Sequence, residues 1–332
     1  MKSLVAIVLA TLILTLGLIA QTPTQTPQTP TAPAQRGAGG RGAGGGGPQG
    51  TTQQVAIVDR SGKLIAKMGG EAQNLIYDPA ISPDGKRVMA RARDKQGDVE
   101  HVWVYDATTK KRLTSNEGNE RHVYWNTKGD KVVFSMQVTG GGQGTVSNLF
   151  IRNSDGSGSD FPLIVSEGMH KWSPTWSPDG KWVVYHTNDT TTNARDIGFV
   201  DVTTGKTDFL VQTPATEALP RFSPDGKWVA YGSQSTEPNS KWEVWVTTFP
   251  KSDTRIKIAD GEWPRWSKDE IFYWNANNLM AAKYSVSGKD LKVGAPVKLF
   301  AGADVGMGTG NIGGYNFFYD YWDGKFAVVT KP

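Results

Sequence analysis

The sequence of 332 residues contains no cysteine. Disulfide bonds, thiolate catalysis, cysteine-based zinc sites and lipidation of an N-terminal cysteine are therefore excluded. Charged residues make up only 20% of the chain, the net charge is +4 at pH 7, and no block of like charges occurs in the part expected to fold. Charge therefore gives no support to a nucleic-acid partner.

The common catalytic motifs are also missing. The sequence has no Gly-x-Ser-x-Gly nucleophile elbow, no His-Glu-x-x-His zinc motif and no Walker loop. One Gly-x-Gly-x-x-Gly stretch runs from Gly308 to Gly313, but the aromatic segment after it does not predict the helix that a dinucleotide site requires. We expect a loop at 306–314 and no cofactor.

Oxygen-bearing side chains are concentrated between residues 153 and 160. Asn153, Asp155, Ser157 and Asp160 are of the type that calcium prefers as ligands. Their spacing departs from the EF-hand pattern, and the segment falls where a hairpin between strands is expected. A Ca²⁺ site is thus an alternative to a plain hairpin.

The first 20 residues combine one lysine with a continuous apolar run that ends at Ala20. This pattern predicts a secretory signal peptide, and hence a periplasmic or secreted bacterial protein. The alternative is an uncleaved membrane anchor, because about 17 apolar residues can just span a bilayer. Residues 21–50 are rich in proline and glycine, which predicts a disordered linker.

The folded part, residues 51–332, is built from repeats. The decapeptide WSPDGKWVVY at Trp176–Tyr185 returns almost unchanged at Phe222–Tyr231, with further copies at 81–92 and 125–136 and weaker ones at 266–276 and 321–330. The copies recur at intervals of roughly 45 residues, a period typical of propeller blades.

Turn chemistry explains the motif. Serine suits the first position of a type I turn, proline presets φ at the second and glycine closes the turn. The apolar run after each turn predicts a strand that is covered on both faces. We expect an all-β, six-bladed β-propeller of four-stranded blades. N-terminal strands at 54–69 would pair with C-terminal strands in a composite blade that closes the ring.

These repeats resemble the WD40-like (PD40) repeats of TolB-type six-bladed propellers, over roughly residues 54–332. The resemblance implies a binding platform, an assembly part or a substrate gate. TolB itself is periplasmic and binds an outer-membrane-anchored partner. Its additional N-terminal α/β domain has no counterpart in this sequence.

Superposing the repeats identifies candidate ligand residues. The position before the aromatic residue of each motif is expected to face a central channel. It holds Ala80, Tyr124, Thr175, Arg221, Arg265 and, in the shortened last repeat, Asp320. Two arginines facing one lumen would suit a carboxylate or phosphate. Alternatively, Asp320 pairs with one arginine and water fills the remaining space.

Histidines and tryptophans outside the repeat consensus are candidate loop contacts. They are His122, His170, Trp172, Trp242 and Trp263. Exposed tryptophans could stack on sugar rings or anchor a peptide, and the alternative is packing beneath loops. The histidines lack metal-ligand spacing, so no metal site is expected from them.

Three functions remain open. The first is an exported, monomeric, non-catalytic scaffold that binds a protein, a peptide or an envelope glycan. The second is a polysaccharide lyase or hydrolase that uses His122, His170 and the channel arginines. The third is a structural subunit of a cell-envelope complex. A peptidase is disfavoured because it would require a further domain of about 200 residues.

Overall fold

The structure is a computed structural model that describes residues 52–95, 97–116, 118–137, 146–307 and 319–332. The predicted signal peptide at 1–20, the predicted linker at 21–50 and most of the glycine-rich loop at 306–314 lie outside the described residues. Within the described part, no helix is both long and apolar enough to cross a membrane.

The described secondary structure is β apart from a 3₁₀ turn at Gly302–Val305. The first nine strands are β1 (Thr52–Asp59), β2 (Leu64–Ile81), β3 (Val88–Arg93), β4 (His101–Tyr105), β5 (Lys110–Arg112), β6 (Asn119–Trp125), β7 (Lys131–Gln137), β8 (Ser147–Asn153) and β9 (Phe161–Ile164). They are followed by β10 (Met169–Trp176), β11 (Trp182–Asp189), β12 (Ile197–Asp201), β13 (Thr207–Val211), β14 (Thr216–Phe222), β15 (Trp228–Gln234), β16 (Trp242–Thr248) and β17 (Arg255–Asp260). The last are β18 (Glu262–Trp266), β19 (Glu270–Asn275), β20 (Asn278–Ser287), β21 (Asp290–Val293), β22 (Val297–Ala301), β23 (Tyr319–Trp322) and β24 (Lys325–Thr330).

The strands form antiparallel sheets in which chain neighbours pair. Three sheets have four strands each, namely β6 to β9, β10 to β13 and β14 to β17, and a further sheet joins β18 to β21 with β22 beside β20. The largest sheet has the order β23-β24-β1-β2-β3-β4-β5. In it, β1 pairs with β24 from Gln54 opposite Thr330 to Asp59 opposite Lys325.

The repeated motif forms a tight turn, as its residues predict. In the copies that begin at Ser177 and Ser223, the glycine N–H donates to the serine carbonyl over 2.9 Å. The serine hydroxyl also donates to the aspartate of the turn over 2.6 Å. The strands that follow are buried on both faces, as Val183, Val184 and Tyr185 of β11 illustrate.

Tryptophan side chains couple one sheet to the next. Trp125 at the end of β6 donates its indole N–H to the carbonyl of Ala80 over 3.0 Å, and Trp266 at the end of β18 donates to the carbonyl of Arg221 over 3.0 Å. Both rings are buried. Each bond therefore fixes the end of one strand against the backbone of the preceding sheet.

Substitutions at two turn glycines separate the cost of backbone strain from the cost of a clash with a neighbouring side chain. Replacing Gly85 or Gly180 by alanine places a Cβ on a left-handed residue, which costs about 1–2 kcal/mol. At Gly180 nothing lies within 4 Å of the new Cβ, whereas at Gly85 the Trp322 ring lies at 2.4 Å. We expect Gly180→Ala to lower the free energy of unfolding by about 1 kcal/mol, and Gly85→Ala to lower it further. Urea denaturation measures both, and equal losses would show that the packing of Trp322 contributes nothing.

Candidate functional site

Five strands that run into the turns share one irregularity. These leading strands are residues 74–81 of β2, and β6, β10, β14 and β18. In each, two residues oppose a single residue of the partner strand, as between Trp172 and Thr175 of β10, which pair with His186 and Val184. The same break occurs in the other four leading strands. This arrangement is a β-bulge, which redirects side chains locally.

The first residue of each bulge has a positive φ although it is not glycine. These bulge residues are Asp78 (φ 53°), His122 (52°), Ser173 (50°), Leu219 (62°) and Trp263 (61°). In four of the five, proline follows and cannot donate a ladder hydrogen bond. A non-glycine residue in the left-handed conformation costs about 1–3 kcal/mol, and such strained residues cluster at functional sites.

The bulges converge on one cavity of about 170 Å³, here called the basic cavity. Its polar lining comprises Arg91, Arg121, His122, His186 and Arg195. Its apolar lining comprises Trp172, Ala218, Leu219 and Trp263. All five described sheets contribute, because these residues belong to β3, β6, β10, β11, β14 and β18 or, for Arg195, to the segment before β12.

One wall of the basic cavity is a buried charged triad. Asp78 accepts a hydrogen bond from Arg91 Nε over 2.7 Å and lies 3.2 Å from His122 Nδ1. Burial alone would raise the pKa of Asp78, but His122 and Arg91 outweigh it and hold that pKa well below its usual range. Burial also lowers the pKa of His122, against the opposing effect of Asp78. The imidazole of His122 therefore loses its proton more readily than a free imidazole.

Glu100 links the arginines of this wall. It accepts from Arg91 Nη1 over 2.5 Å and from Arg93 Nη2 over 3.1 Å, and it lies 3.7 Å from Arg121 Nε. The last distance is too long for a hydrogen bond. Burial and the neighbouring charge of Arg91 lower the pKa of Arg121, against the opposing effect of Glu100.

The opposite wall is aromatic. The rings of His170 and Trp172 stack at 4.8 Å, and His186 meets Trp172 edge-on at 5.9 Å. His170 Nδ1 accepts the Ser147 N–H over 2.9 Å, and His186 Nδ1 accepts the Leu219 N–H over 3.4 Å. Burial holds the pKa of His186 well below its ordinary value. Both bonds leave the proton of the neutral ring on Nε2.

Next to the bulges, the structure brings together the residues expected to face a channel. Arg221 donates to the Tyr124 hydroxyl and, over 3.0 Å, to Thr175 Oγ1, and its guanidinium lies 4.0 Å from the Tyr124 ring centroid. Arg265 donates to Asp320 over 2.9 Å and to the Tyr124 hydroxyl over 3.2 Å. We call this group the arginine–tyrosine cluster.

The arginine–tyrosine cluster is largely closed. Arg221 and Arg265 are only 4% and 5% exposed. Burial and the charge of Arg265 hold the pKa of Arg221 well below its ordinary value. The remaining carboxylate oxygen of Asp320 accepts the Ile81 N–H over 2.8 Å. Asp320 thus pairs with one arginine, and a ligand role for these residues stays a prediction.

The residues expected in loops lie in strands instead. His122 is in β6, His170 and Trp172 are in β10, Trp242 begins β16 and Trp263 is in β18. The reason is that the leading strands extend through the bulge. Three of the five, His122, Trp172 and Trp263, line the basic cavity, and Trp242 packs on the apolar cluster that contains Trp263.

Sequence reasoning missed Asp78, Arg91, Arg121, His186 and Arg195. A usable signal existed, since a proline inside an otherwise strand-like segment indicates a bulge. Four leading strands carry that proline directly before the residue expected to face the channel.

The segment considered for calcium forms a hairpin loop with internal partners. Asp160 lies 3.1 Å from Arg152 Nε and accepts from Asn116 over 2.7 Å, and Asp155 accepts the Ser157 N–H over 2.8 Å. A cation would have to compete with Arg152 for Asp160. Among the described residues, no group of three His, Asp or Glu side chains is placed to hold a metal ion.

Successive antiparallel sheets, with leading strands that meet at one cavity, define a protein of the β-propeller class. The sequence profile of the PD40 family, described as TolB beta propeller domain, matches residues 52–270. This match covers more than half of the chain, and the chain belongs to that family.

Solved structures give the same fold. A protein assigned as TolB from Agrobacterium tumefaciens has 17% identity and a TM-score of 0.61, with 85% of this chain and 99% of the other covered. TolB from Acinetobacter baumannii has 16% identity and a TM-score of 0.53, with 75% and 66% covered. A chain from a nidogen/laminin complex has 11% identity and a TM-score of 0.51, with 70% and 89% covered. At these identities the likeness concerns the fold alone. None of the curated protein sequences matches the chain.

The buried pair between Arg265 and Asp320 should contribute strongly to stability. We expect Asp320→Ala to lower the free energy of unfolding by about 3 kcal/mol or more, because Arg265 keeps a buried charge and the Ile81 N–H loses its acceptor. The matched control is Asp253→Ala, which breaks an exposed pair with Lys289 and should cost at most about 1 kcal/mol. Chemical denaturation measures both, and similar losses would contradict a closed cluster.

A buried carboxyl group lies beside the basic cavity. Glu217 precedes the lining residue Ala218, is fully buried and accepts a hydrogen bond from the Thr213 hydroxyl. Burial raises its pKa from the ordinary value of 4.5 to about 7. Folding therefore favours the protonated form, and ionisation of Glu217 above pH 7 costs stability.

Glu217→Gln should remove that cost. We expect the variant to exceed the wild type in free energy of unfolding by about 1–3 kcal/mol at pH 8, with the difference shrinking as pH falls through 7 towards 4.5. The control, Glu243→Gln, should have the opposite sign at pH 8, because a hydrogen bond from Lys257 lowers the pKa of Glu243. Thermal or chemical unfolding across pH 5–8 measures this. A difference for Glu217→Gln that does not change with pH would contradict the raised pKa.

Proposed function

We propose that this chain is an exported, non-catalytic scaffold that binds a protein or peptide partner in the bacterial cell envelope. One observation carries the proposal: five leading strands keep a left-handed non-glycine residue, and these strands meet at one cavity lined by arginine, histidine and tryptophan. Retained backbone strain is typical of functional sites, and arginine and tryptophan are enriched at binding hot spots.

The proposed architecture is a closed ring of six blades. The largest sheet would supply two blades, because β2 pairs with β1 mainly through Leu64 to Met68, with Gln73 and Asn74 as further partners, and with β3 through Asn74 to Ile81. The pairing of β1 with β24 supports closure through a composite blade. In such a ring, the basic cavity lies at the centre of the face where the leading strands begin, and the repeated turns lie on the opposite face.

Three further features support a partner in the envelope. The apolar N-terminal run and the proline- and glycine-rich segment after it suit an exported, tethered domain. Membership of the TolB propeller family favours a role in protein binding. The aromatic wall around Trp172 offers rigid apolar surface at low entropic cost, which suits a peptide.

An enzyme with its site in the basic cavity is the second candidate. His122 with its carboxylate partner Asp78 is the arrangement of a general base, and arginines stand beside it. A lyase or hydrolase would turn over acidic polysaccharides, and His122→Gln would abolish that turnover. Incubation with polyuronides and detection of shortened products tests this candidate.

The scaffold is tested by affinity capture from envelope extracts with the full chain as bait. We expect one protein to co-purify with the wild type and to be lost with Arg195→Glu, which reverses a charge at the basic cavity. Lys181→Glu is the control, because Lys181 is exposed on the turn face. Circular dichroism checks that both variants fold.

Three outcomes would contradict the proposed site or function. Equal loss of the partner with both variants would show that the cavity face is not the binding surface. Capture of a polysaccharide in place of a protein would change the partner class. Absence of any specific partner would remove the proposed function.

A further inference from the structure

Two hydrogen-bond donors of the basic cavity have no acceptor among the described residues. They are Arg121 Nε and Trp172 Nε1, both buried. They occupy the same position in neighbouring leading strands, one residue before the bulge residue. Buried donors are almost always satisfied in folded proteins, and a ligand that supplies acceptors would satisfy these two on one lining. Asp78 Oδ1 is an unpartnered acceptor beside the same cavity.

The charge of the lining indicates which acceptors fit. Three guanidiniums, of Arg91, Arg121 and Arg195, line the cavity. The carboxylates of Asp78 and Glu100 lie beside them, and Glu100 also pairs with Arg93. Both carboxylates are buried, and each already faces arginine or histidine. Glu262 has the position in β18 that Arg121 has in β6, and Glu217 lies beside the cavity. Burial raises the pKa of each to about 7, so both are only partly ionised at pH 7. Positive charge is left in excess.

The dimensions of the cavity limit the size of the occupant. A volume of 170 Å³ is the share of about six water molecules and lies below the range of about 300–1,000 Å³ for pockets that enclose drug-sized ligands. One acidic side chain, one chain terminus or a small free acid fits this space, whereas a run of sugar rings does not. Trp172 and Trp263 would flank the methylene groups of such a ligand.

We propose that the basic cavity binds a single carboxylate group. Arg121 would donate from its guanidinium, because the planar fork of arginine matches a carboxylate, and Trp172 Nε1 and the Nε2–H of His186 would complete the donor set. The proposal rests on the proposed function and deepens it, since the carboxylate would be presented by an acidic side chain or the C-terminus of the partner. Free small carboxylates share this chemistry.

Titration of the full chain distinguishes the two sources. Tryptophan fluorescence and calorimetry are followed with sodium succinate, and with a blocked pentapeptide that carries a central Glu or a central Gln. We expect succinate or the Glu peptide to bind and the Gln peptide to bind at least tenfold more weakly. Arg121→Gln and Trp172→Phe should each weaken binding several-fold or more, with Arg121→Gln having the larger effect. Arg112→Gln, an exposed arginine paired with Asp94, should leave it unchanged.

Each outcome decides the proposal. Binding of succinate alone supports the carboxylate site and assigns it to small acids, and binding of the Glu peptide assigns it to a partner. Equal binding of the Glu and Gln peptides, or no binding of either probe, overturns it. If the captured protein partner is retained by Arg121→Gln, the site does not bind a carboxylate of the partner, while the scaffold function stands. Thermal unfolding of both variants controls for misfolding.

Discussion

One extra residue in each leading strand sets the geometry on which the site depends. In a regular strand, side chains alternate between faces, so a single insertion reverses the alternation for every residue on its N-terminal side. The bulge therefore separates two levels of each leading strand. Tyr124, Thr175 and Arg221 lie after it and close on one another, whereas Arg121, Trp172 and Ala218 lie before it and line the basic cavity.

The two levels differ in how completely their buried charges are paired. In the arginine–tyrosine cluster, the phenol of Tyr124 accepts from Arg221 and Arg265, and Asp320 neutralises one of them. Most of the guanidinium donors have a partner, although Arg221 Nε has none among the described residues, and these bonds tie β6, β10, β14, β18 and β23 together. Around the basic cavity the carboxylates are outnumbered, and donors of Arg121 and Trp172 remain unpartnered within the described part of the chain. The first arrangement favours cohesion, and the second favours an anionic ligand.

Those features of the fold that depend on residues close together in the sequence could be predicted. The Ser-Pro-Asp-Gly turns, the doubly buried strands after them and the all-β class follow from turn chemistry and apolar runs. The grouping of Tyr124, Thr175, Arg221, Arg265 and Asp320 also followed, because these residues sit at a fixed distance from the turn. The lining of the basic cavity could not be predicted in this way. Counting alternate residues back from the turn assigns the wrong face to every residue that precedes the bulge. Arg91, His186 and Arg195 could not be predicted for another reason. They belong to the second strand of a sheet or to the segment after it, whereas the comparison of the repeats concerned the leading strands.

The cost of the bulges explains why the cavity residues differ while the turns repeat. Each left-handed residue costs about 1–3 kcal/mol, and the surrounding contacts must offset it. Leu219 and Trp263 are buried in one apolar cluster, whereas Asp78 and His122 lie against each other beside Arg91, so the bulges are stabilised by at least two different sets of contacts. The turns can all use the same residue, because glycine adopts their left-handed conformation without strain. Repetition therefore marks the parts of this chain that fold alike, and the proposed functional surface is built at the strained positions where the repeats diverge.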